Sequence, residues 1–182
     1  MKALLLCIEM NKTANWSDII GSVSLVFALV GGCFAYRQWR KSMKLKRAEY
    51  VKSLLDEIKT NKDIVNYLFD YNAEKWYGPS FHNSGELERK IDITLDFYSY
   101  ICYLRNHHII KQSDFKCFKY DVERIITNSQ FINYCYNLYH FSKKIKQPIP
   151  FYELFRYAKK RHCFDNEFWD KKSLKYPHIL NF

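Results

Sequence analysis

Residues 19–36 read IIGSVSLVFALVGGCFAY and are followed at once by RQWRKSMKLKR at residues 37–47. The first run holds eighteen residues without a charge, and a helix of that length covers roughly 27 Å, close to the thickness of the hydrocarbon core of a bilayer. Six basic residues lie in the second run, whereas the N-terminal flank offers only Lys12 and Asp18. This asymmetry predicts a single transmembrane helix whose C-terminal side faces the cytoplasm.

Small or polar residues along this helix repeat in steps of four and three, which is a heptad period. They are Ser17, Gly21, Ser24, Ala28, Gly31, Ala35 and Gln38. We call this stripe the small-residue seam, and we expect bulky residues such as Phe27 and Phe34 on the opposite face. Because small side chains let neighbouring membrane helices approach closely, the seam predicts a homo-oligomer through the span, with the seam as its interface or as the lining of a narrow pore. A plain anchor, in which the seam has no role, is the alternative.

The segment before the span fits a secretory signal peptide poorly, because its apolar run, residues 3–8, is short and no small-residue cleavage site follows it. Met10 is an alternative start to Met1. The expected organisation is a short extracytoplasmic end (residues 1–18), a transmembrane helix (19–36), a basic juxtamembrane helix (37–47) and one cytoplasmic domain (48–182).

Apolar residues recur at helical spacing along most of the chain, so the sequence predicts an all-α fold: one N-terminal transmembrane helix followed by a cytoplasmic multi-helix bundle. Ser113 or Asp114 is expected to cap the helix that carries Phe115 and Phe118. The other helices expected after the span start at Asp63, run from about Leu87 to Asn106, from Phe131 to about Ser142 and from about Phe151 to Arg161.

Catalytic signatures are missing from the sequence. Only Gly78 and Gly85 fall in the predicted cytoplasmic domain, so no glycine-rich turn exists to cradle a nucleotide phosphate. The pair Asp92 and Asp96 is interpreted as a solvated acidic face, and the histidines and cysteines lack the spacing of a zinc site. We therefore predict that the protein is not an enzyme and holds no metal or cofactor.

Positive charge is concentrated in two places. The net charge of the chain is +10. Residues 37–47 carry +6 and residues 111–182 carry +7, whereas residues 48–110 carry −3 and residues 1–36 are neutral overall. Orientation and anionic lipid explain the first cluster. Basic residues of the second alternate with tyrosines, which suits a polyanion that carries bases. The predicted anion-binding residues are Lys116, Lys119, Lys143, Lys144, Lys146, Lys159, Lys160 and Arg161. A basic surface that is solvated, or that lies on the membrane, is the alternative.

Three runs carry a family resemblance: KIDITLDFYSYICYLRNHHII (residues 90–110), FINYCYNLYHFSKK (131–144) and PFYELFRYAKK (150–160). They resemble those of a widespread group of small bacterial proteins with one N-terminal span and a helical cytoplasmic domain, several of them from phage-defence loci. One candidate relative is the membrane effector of the Hailong anti-phage system, in which a nucleotidyltransferase makes a DNA oligomer that holds a membrane protein inactive. The resemblance implies an inner-membrane protein with a single-stranded DNA oligomer as a partner.

Two functional classes remain open on the sequence. The first is an oligomeric membrane effector that forms a pore or a membrane-disrupting bundle and is gated by an anionic oligonucleotide-type ligand on its cytoplasmic domain. The second is a membrane-anchored helical module that recruits a protein partner and forms no channel.

Overall fold

The computed structural model describes residues 16–60, 65–66, 68, 76–78, 81–83, 85–176 and 180. Within these residues the fold is all-α and contains no strand, as the sequence predicts. The described α-helices are α1 (Trp16–Thr60), α2 (Glu86–Asn106), α3 (Gln112–Thr127), α4 (Ser129–Ile145) and α5 (Tyr152–Lys160). Short 3-10 helices cover Phe81–Asn83 and Asn166–Trp169. The chain divides into two compact units, Met1–Tyr50 and Val51–Phe182.

Helix α1 joins the apolar run and the basic run in one helix of 45 residues. In the described part of the chain it is the one helix whose length and composition suit a membrane crossing. Every side chain from Ile19 to Lys46 is exposed, including Phe27 at 73 % and Phe34 at 70 %. An exposed apolar surface of this extent is unusual on a water-soluble unit and is typical of helices that pack against other helices or lipid.

The small-residue seam from Gly21 to Gln38 lies along α1 and is exposed throughout, whereas the side chain of Ser17 is outside the described residues. Phe27 and Phe34 each come one residue before a member of the seam. One residue turns an α-helix by about 100°, so the bulky stripe lies beside the seam. The expectation that it occupies the opposite face was therefore wrong.

The second unit is built on the pairing of α2 with α5, which is its most extensive helix contact, and α3 packs against α2, α4 and α5. The helical stripe predicted for α2 is confirmed, because Ile91, Leu95 and Ile101 are fully buried. The expected helix that starts at Asp63 lies largely outside the described residues. Aromatic side chains fill much of the core; the largest fully buried ones are Tyr98, Phe115, Phe118, Phe131, Tyr136 and Phe168.

The described chain after α5, up to Tyr176, is largely irregular and packs back on the bundle. Phe168 is fully buried, and its ring stacks on that of Phe164 with the ring centres 4.1 Å apart. Tyr176 stacks on Tyr136 at 4.5 Å. These contacts close the core beside α4 and α5.

The start of α3 differs from the sequence prediction. The helix begins at Gln112, and the capping residue is Lys111, which is in an extended conformation. Asp114 lies in the first turn, where its carboxylate accepts the backbone N–H of Lys111 at 2.9 Å. Ser113 and Asp114 are thus inside the helix, because the short α2–α3 connection ends earlier than their capping preference suggests.

Candidate anion-binding cavity

A cavity of about 610 Å³ opens where α2 ends, α3 begins and α5 ends. We call it the basic cavity, because five of its lining residues carry a fixed positive charge and, among the described residues that line it, none is a carboxylate. The lining residues are Arg105, Asn106, His108, Ile110, Lys111, Gln112, Lys119, Tyr157, Lys160 and Arg161. The cavity lies wholly within the second unit.

The turn between α2 and α3 forms one wall. His108 adopts a left-handed conformation with φ of 57°, and the N–H of Ile109 donates to the carbonyl oxygen of Leu104 at 2.9 Å. This six-residue hydrogen bond defines a Schellman helix end, where glycine is the usual left-handed residue. The tight reversal brings α3 back to α2, so that Nε of Arg105 donates to Oε1 of Gln112 at 3.0 Å.

The end of α5 forms the facing wall, and it is also a Schellman helix end. His162 has φ of 55°, and the N–H of Cys163 donates to the carbonyl oxygen of Ala158 at 3.1 Å. Helix α5 is held on α2 by a hydrogen bond from Asn106 to the carboxylate of Glu153. Its last turn therefore carries Lys160 to the cavity.

Arg105 is fixed by two aromatic rings. Its guanidinium carbon lies 4.5 Å from the centre of the Phe115 ring and 5.2 Å from that of Tyr157. Burial raises the pKa of the Tyr157 hydroxyl, while the charge of Arg105 partly opposes this. A guanidinium held in this way has lost its rotamer freedom before any ligand arrives, so it binds an anion at a lower entropic cost.

Glu123 is the acidic neighbour of the lining cations. Its carboxylate accepts a hydrogen bond from Arg161, which raises the pKa of that guanidinium, and it lies 3.7 Å from Nζ of Lys119. Within the described part of the chain, Lys111 and Lys160 make no ion pair. The carboxylates of Asp114 and Glu153 also accept hydrogen bonds from lining residues, the first from the backbone N–H of Lys111 and the second from Asn106. Three carboxylates against five cations leave the basic cavity with a net positive charge, and this is an environment that favours an anion.

Three of the eight predicted anion-binding residues, Lys119, Lys160 and Arg161, line the basic cavity. Lys159 instead lies over the ring of Trp169, with its ammonium nitrogen 5.0 Å from the ring centre. Lys143 lies over Tyr139 in the same way at 4.4 Å. The eight residues therefore do not share one cavity.

The remaining predicted lysines are exposed elsewhere on the second unit. Lys116 lies on α3, and Lys144 and Lys146 lie at the end of α4. Four tyrosines alternate with these basic residues. Tyr139 stacks on Phe155 with an interplanar angle of 10°, and Tyr157 is 7 % exposed, so these two rings offer little surface to a ligand. Tyr120 and Tyr152 are 69 % and 55 % exposed, but they do not line the basic cavity.

Sequence reasoning missed six residues of the cavity: Arg105, Asn106, His108, Ile110, Lys111 and Gln112. They belong to one short run, RNHHIIKQ at residues 105–112. Its polar and basic residues at a connection between two predicted helices were the available signal. Residues 105–110 belong to the segment 48–110, which has a net negative charge, and residues 111–112 belong to the positive segment 111–182. The net charge of each segment therefore did not reveal this run.

The carboxylates considered for other chemistry have ordinary partners. Asp92 accepts a hydrogen bond from the hydroxyl of Tyr134 at 2.8 Å, and burial raises its pKa and that of Asp96. Asp96 is exposed, as the interpretation of a solvated acidic face requires, whereas Asp92 is half-buried. Within the described residues, no group of three His, Cys, Asp or Glu side chains is arranged to hold a metal ion.

Comparison of the chain with models of known protein families, with curated protein sequences and with solved structures identifies no match. The arguments about function therefore rest on the residues and their geometry.

Proposed function

We propose that the protein is a homo-oligomeric, single-pass membrane effector whose cytoplasmic domain binds an anionic, oligonucleotide-type ligand in the basic cavity. In this proposal the span forms a pore or a membrane-disrupting bundle, and the ligand gates it. The observation that carries the proposal is the convergence of five cations from α2, α3 and α5 on one cavity. In this proposal the domain binds its ligand and does not catalyse a reaction.

The proposed location is the bacterial inner membrane. Residues 19–36 supply an uncharged run of spanning length, and the basic residues of 37–47 favour a cytoplasmic C-terminal domain and contacts with anionic lipid. A reporter enzyme fused after Phe182 is then expected to be active only in the cytoplasm. Activity of the fusion in the periplasm would contradict this orientation.

A role in anti-phage defence is supported by the sequence resemblance in residues 90–160. That resemblance implies a single-stranded DNA oligomer, made by a nucleotidyltransferase, as the ligand. The charge of the basic cavity agrees with such a ligand, because phosphate groups pair with lysine and arginine and release counterions. The small-residue seam supports self-association as the other half of the mechanism.

Salt-dependent binding tests the proposal. The full chain, in lipid nanodiscs, is titrated into a fluorescent single-stranded DNA hexamer, and the anisotropy is followed at increasing salt. A cavity variant, with Lys111, Lys119 and Lys160 each changed to Gln, is compared with an α4 variant in which Lys143, Lys144 and Lys146 are changed to Gln. Both variants lose the same charge. The cavity variant is expected to bind more weakly, with a salt slope smaller by about 2 if all three lysines contact phosphates.

Three results would contradict the proposal. The first is no binding of the hexamer at low salt. The second is a larger loss of affinity in the α4 variant than in the cavity variant. The third is equal binding of inorganic polyphosphate of matched charge, which would leave a basic surface that lies on the membrane as the explanation of the charge.

One structural feature favours the alternative, an anchored module that recruits a protein partner. Ile93, Tyr100 and Tyr103 are exposed large side chains on α2, at 55 %, 45 % and 39 % respectively. Exposed aromatic residues of this kind are enriched at protein interfaces. If this surface binds a protein partner, replacing Ile93, Tyr100 and Tyr103 by charged residues would impair function, whereas the cavity variant would not.

A further inference from the structure

We propose that the basic cavity binds the terminal phosphate monoester of the ligand, while the bases remain outside. This inference rests on the proposed function, because it names the part of the anionic ligand that enters the cavity. It follows from the arrangement of the charges, the apolar surface available and the volume of the cavity.

The charges converge instead of forming a row. Arg105 lies at the end of α2, and Lys119 lies on α3, which Lys111 caps. Lys160 is the last residue of α5 and Arg161 follows it, yet all five line the basic cavity. An internal phosphodiester carries one negative charge, whereas a terminal phosphate monoester carries about −1.5 to −2 at neutral pH. Clustered cations therefore favour the end of a strand over its interior.

The basic cavity offers little surface on which a base could stack. Ile110 is 1 % exposed and Tyr157 is 7 % exposed. The guanidinium of Arg105 also lies over the Tyr157 ring. A base that entered the basic cavity would therefore find little ring surface on which to stack. Among the described lining residues, the one other ring is the exposed imidazole of His108, which is cationic when protonated.

Hydrogen-bond donors complete the fit. Asn106 and Gln112 are already engaged with Glu153 and Arg105, so their positions are fixed. The ammonium groups of Lys111 and Lys160 each bring three donors, and a phosphate monoester presents three strong acceptor oxygens. A volume of about 610 Å³ is that of a site for one drug-sized ligand, so the basic cavity has room for one end of a strand and not for several nucleotides.

The test compares ligand ends on the full chain in nanodiscs. Three thymidine hexamers are prepared with a 5′-phosphate, with a 3′-phosphate or with hydroxyl groups at both ends, and each is used to compete with a labelled 5′-phosphorylated hexamer. A phosphorylated end is expected to improve competition about tenfold or more, since hydrogen bonds to a charged group are worth about 1.5–3 kcal/mol. The double variant Lys111→Gln/Lys160→Gln should lose that difference. Lys143→Gln/Lys146→Gln, which removes the same charge from α4, should keep it.

The outcomes separate the two proposals. Equal competition by all three hexamers, with weaker binding in the cavity variant, would overturn the terminal-phosphate inference and leave the proposed function in place. No binding of any hexamer at low salt would overturn both. A short-chain phosphatidic acid also carries a phosphate monoester, and competition by this lipid stronger than that of the phosphorylated hexamers would overturn the assignment to an oligonucleotide end. Thymidine alone should not compete. Competition by thymidine would show that the basic cavity binds the base, and this would overturn the inference.

Discussion

The guanidinium group of Arg105 lies on the ring of Phe115, with 4.5 Å between the guanidinium carbon and the ring centre. Arg105 is in the last turn of α2 and Phe115 is in the first turns of α3. This contact ties the two helices together at the point where the basic cavity begins. The buried ring of Phe115 therefore positions a charge that lines the basic cavity.

Replacing Arg105 by lysine tests that role, because it keeps the charge and removes the planar group. Arg105→Lys is expected to lower the free energy of unfolding by about 1 kcal/mol and to weaken anion binding. Arg124→Lys is the matched control, since Arg124 lies 5.5 Å from the ring centre of the exposed Tyr120. Chemical denaturation and anisotropy would measure both effects. Equal losses in the two variants would contradict a special role for Arg105.

The end of α4 provides a stability prediction. Lys146 is exposed and left-handed, with φ of 56°, and this conformation costs a residue with a side chain roughly 1–2 kcal/mol. Glycine's greater freedom in the unfolded chain offsets part of the gain, so Lys146→Gly should stabilise the fold by about 0.5–1 kcal/mol. Lys116→Gly, within α3, should instead destabilise it by about 1 kcal/mol. Thermal unfolding followed by circular dichroism would check the opposite signs.

The seam predicts how the span assembles. An added Cβ at Gly31 would meet nothing within 4 Å, and Ala28 is exposed, so Ala28→Leu/Gly31→Leu leaves the single helix intact. If helices pack through the seam, the larger side chains prevent close approach, and chemical crosslinking in detergent should yield monomers. Val26→Leu/Val30→Leu adds bulk away from the seam and should crosslink like the parent. An unchanged pattern in the seam variant would mean that the seam is not the interface.

His140 predicts a pH dependence of stability. Its Nε2 lies 3.2 Å from the carbonyl oxygen of Phe168, and burial lowers its pKa, an effect that Lys143 and Lys171 reinforce and Asp170 opposes. The unfolded chain therefore binds this proton more readily, so stability is present above pH of about 6.5 and is lost as the pH falls towards the folded-state pKa.

The measurement is the melting temperature of the parent and of His140→Gln between pH 7.5 and pH 5.5. Glutamine can still donate to Phe168 and does not titrate, so the variant should lose less stability than the parent. Asp92 and Asp121 have raised pKa values and act in the opposite direction in both proteins. The difference between the two curves thus isolates His140, and parallel curves would contradict the prediction.

Local periodicity made the helices predictable. Ile91, Leu95 and Tyr98 recur at helical spacing, and all three are fully buried in α2. The helix ends were harder to predict, because His108, Lys146 and His162 occupy left-handed positions where glycine is the usual signal. The α3 boundary moved for a related reason: the turn at His108 fixed the conformation of Lys111, and this outweighed the capping preference of Ser113.

The basic cavity depended on tertiary packing. Composition located the positive charge in the C-terminal part, and Lys160 and Arg161 were found in that way. Arg105 was missed because it belongs to a segment with net negative charge, and only the packing of α5 on α2 brings it near Lys160. Periodicity within one helix carries no information about such crossings.

The membrane potential of expressing cells tests most directly whether the protein disrupts the membrane through its span. Cells that produce the full chain without its ligand are examined with a voltage-sensitive dye, beside cells that produce Ala28→Leu/Gly31→Leu or Val26→Leu/Val30→Leu at equal membrane levels. We expect depolarisation by the parent and by the Val26/Val30 control, and a preserved potential with the seam variant. A preserved potential with the parent, or depolarisation by the seam variant equal to that of the parent, would contradict a membrane effector that acts through its small-residue seam.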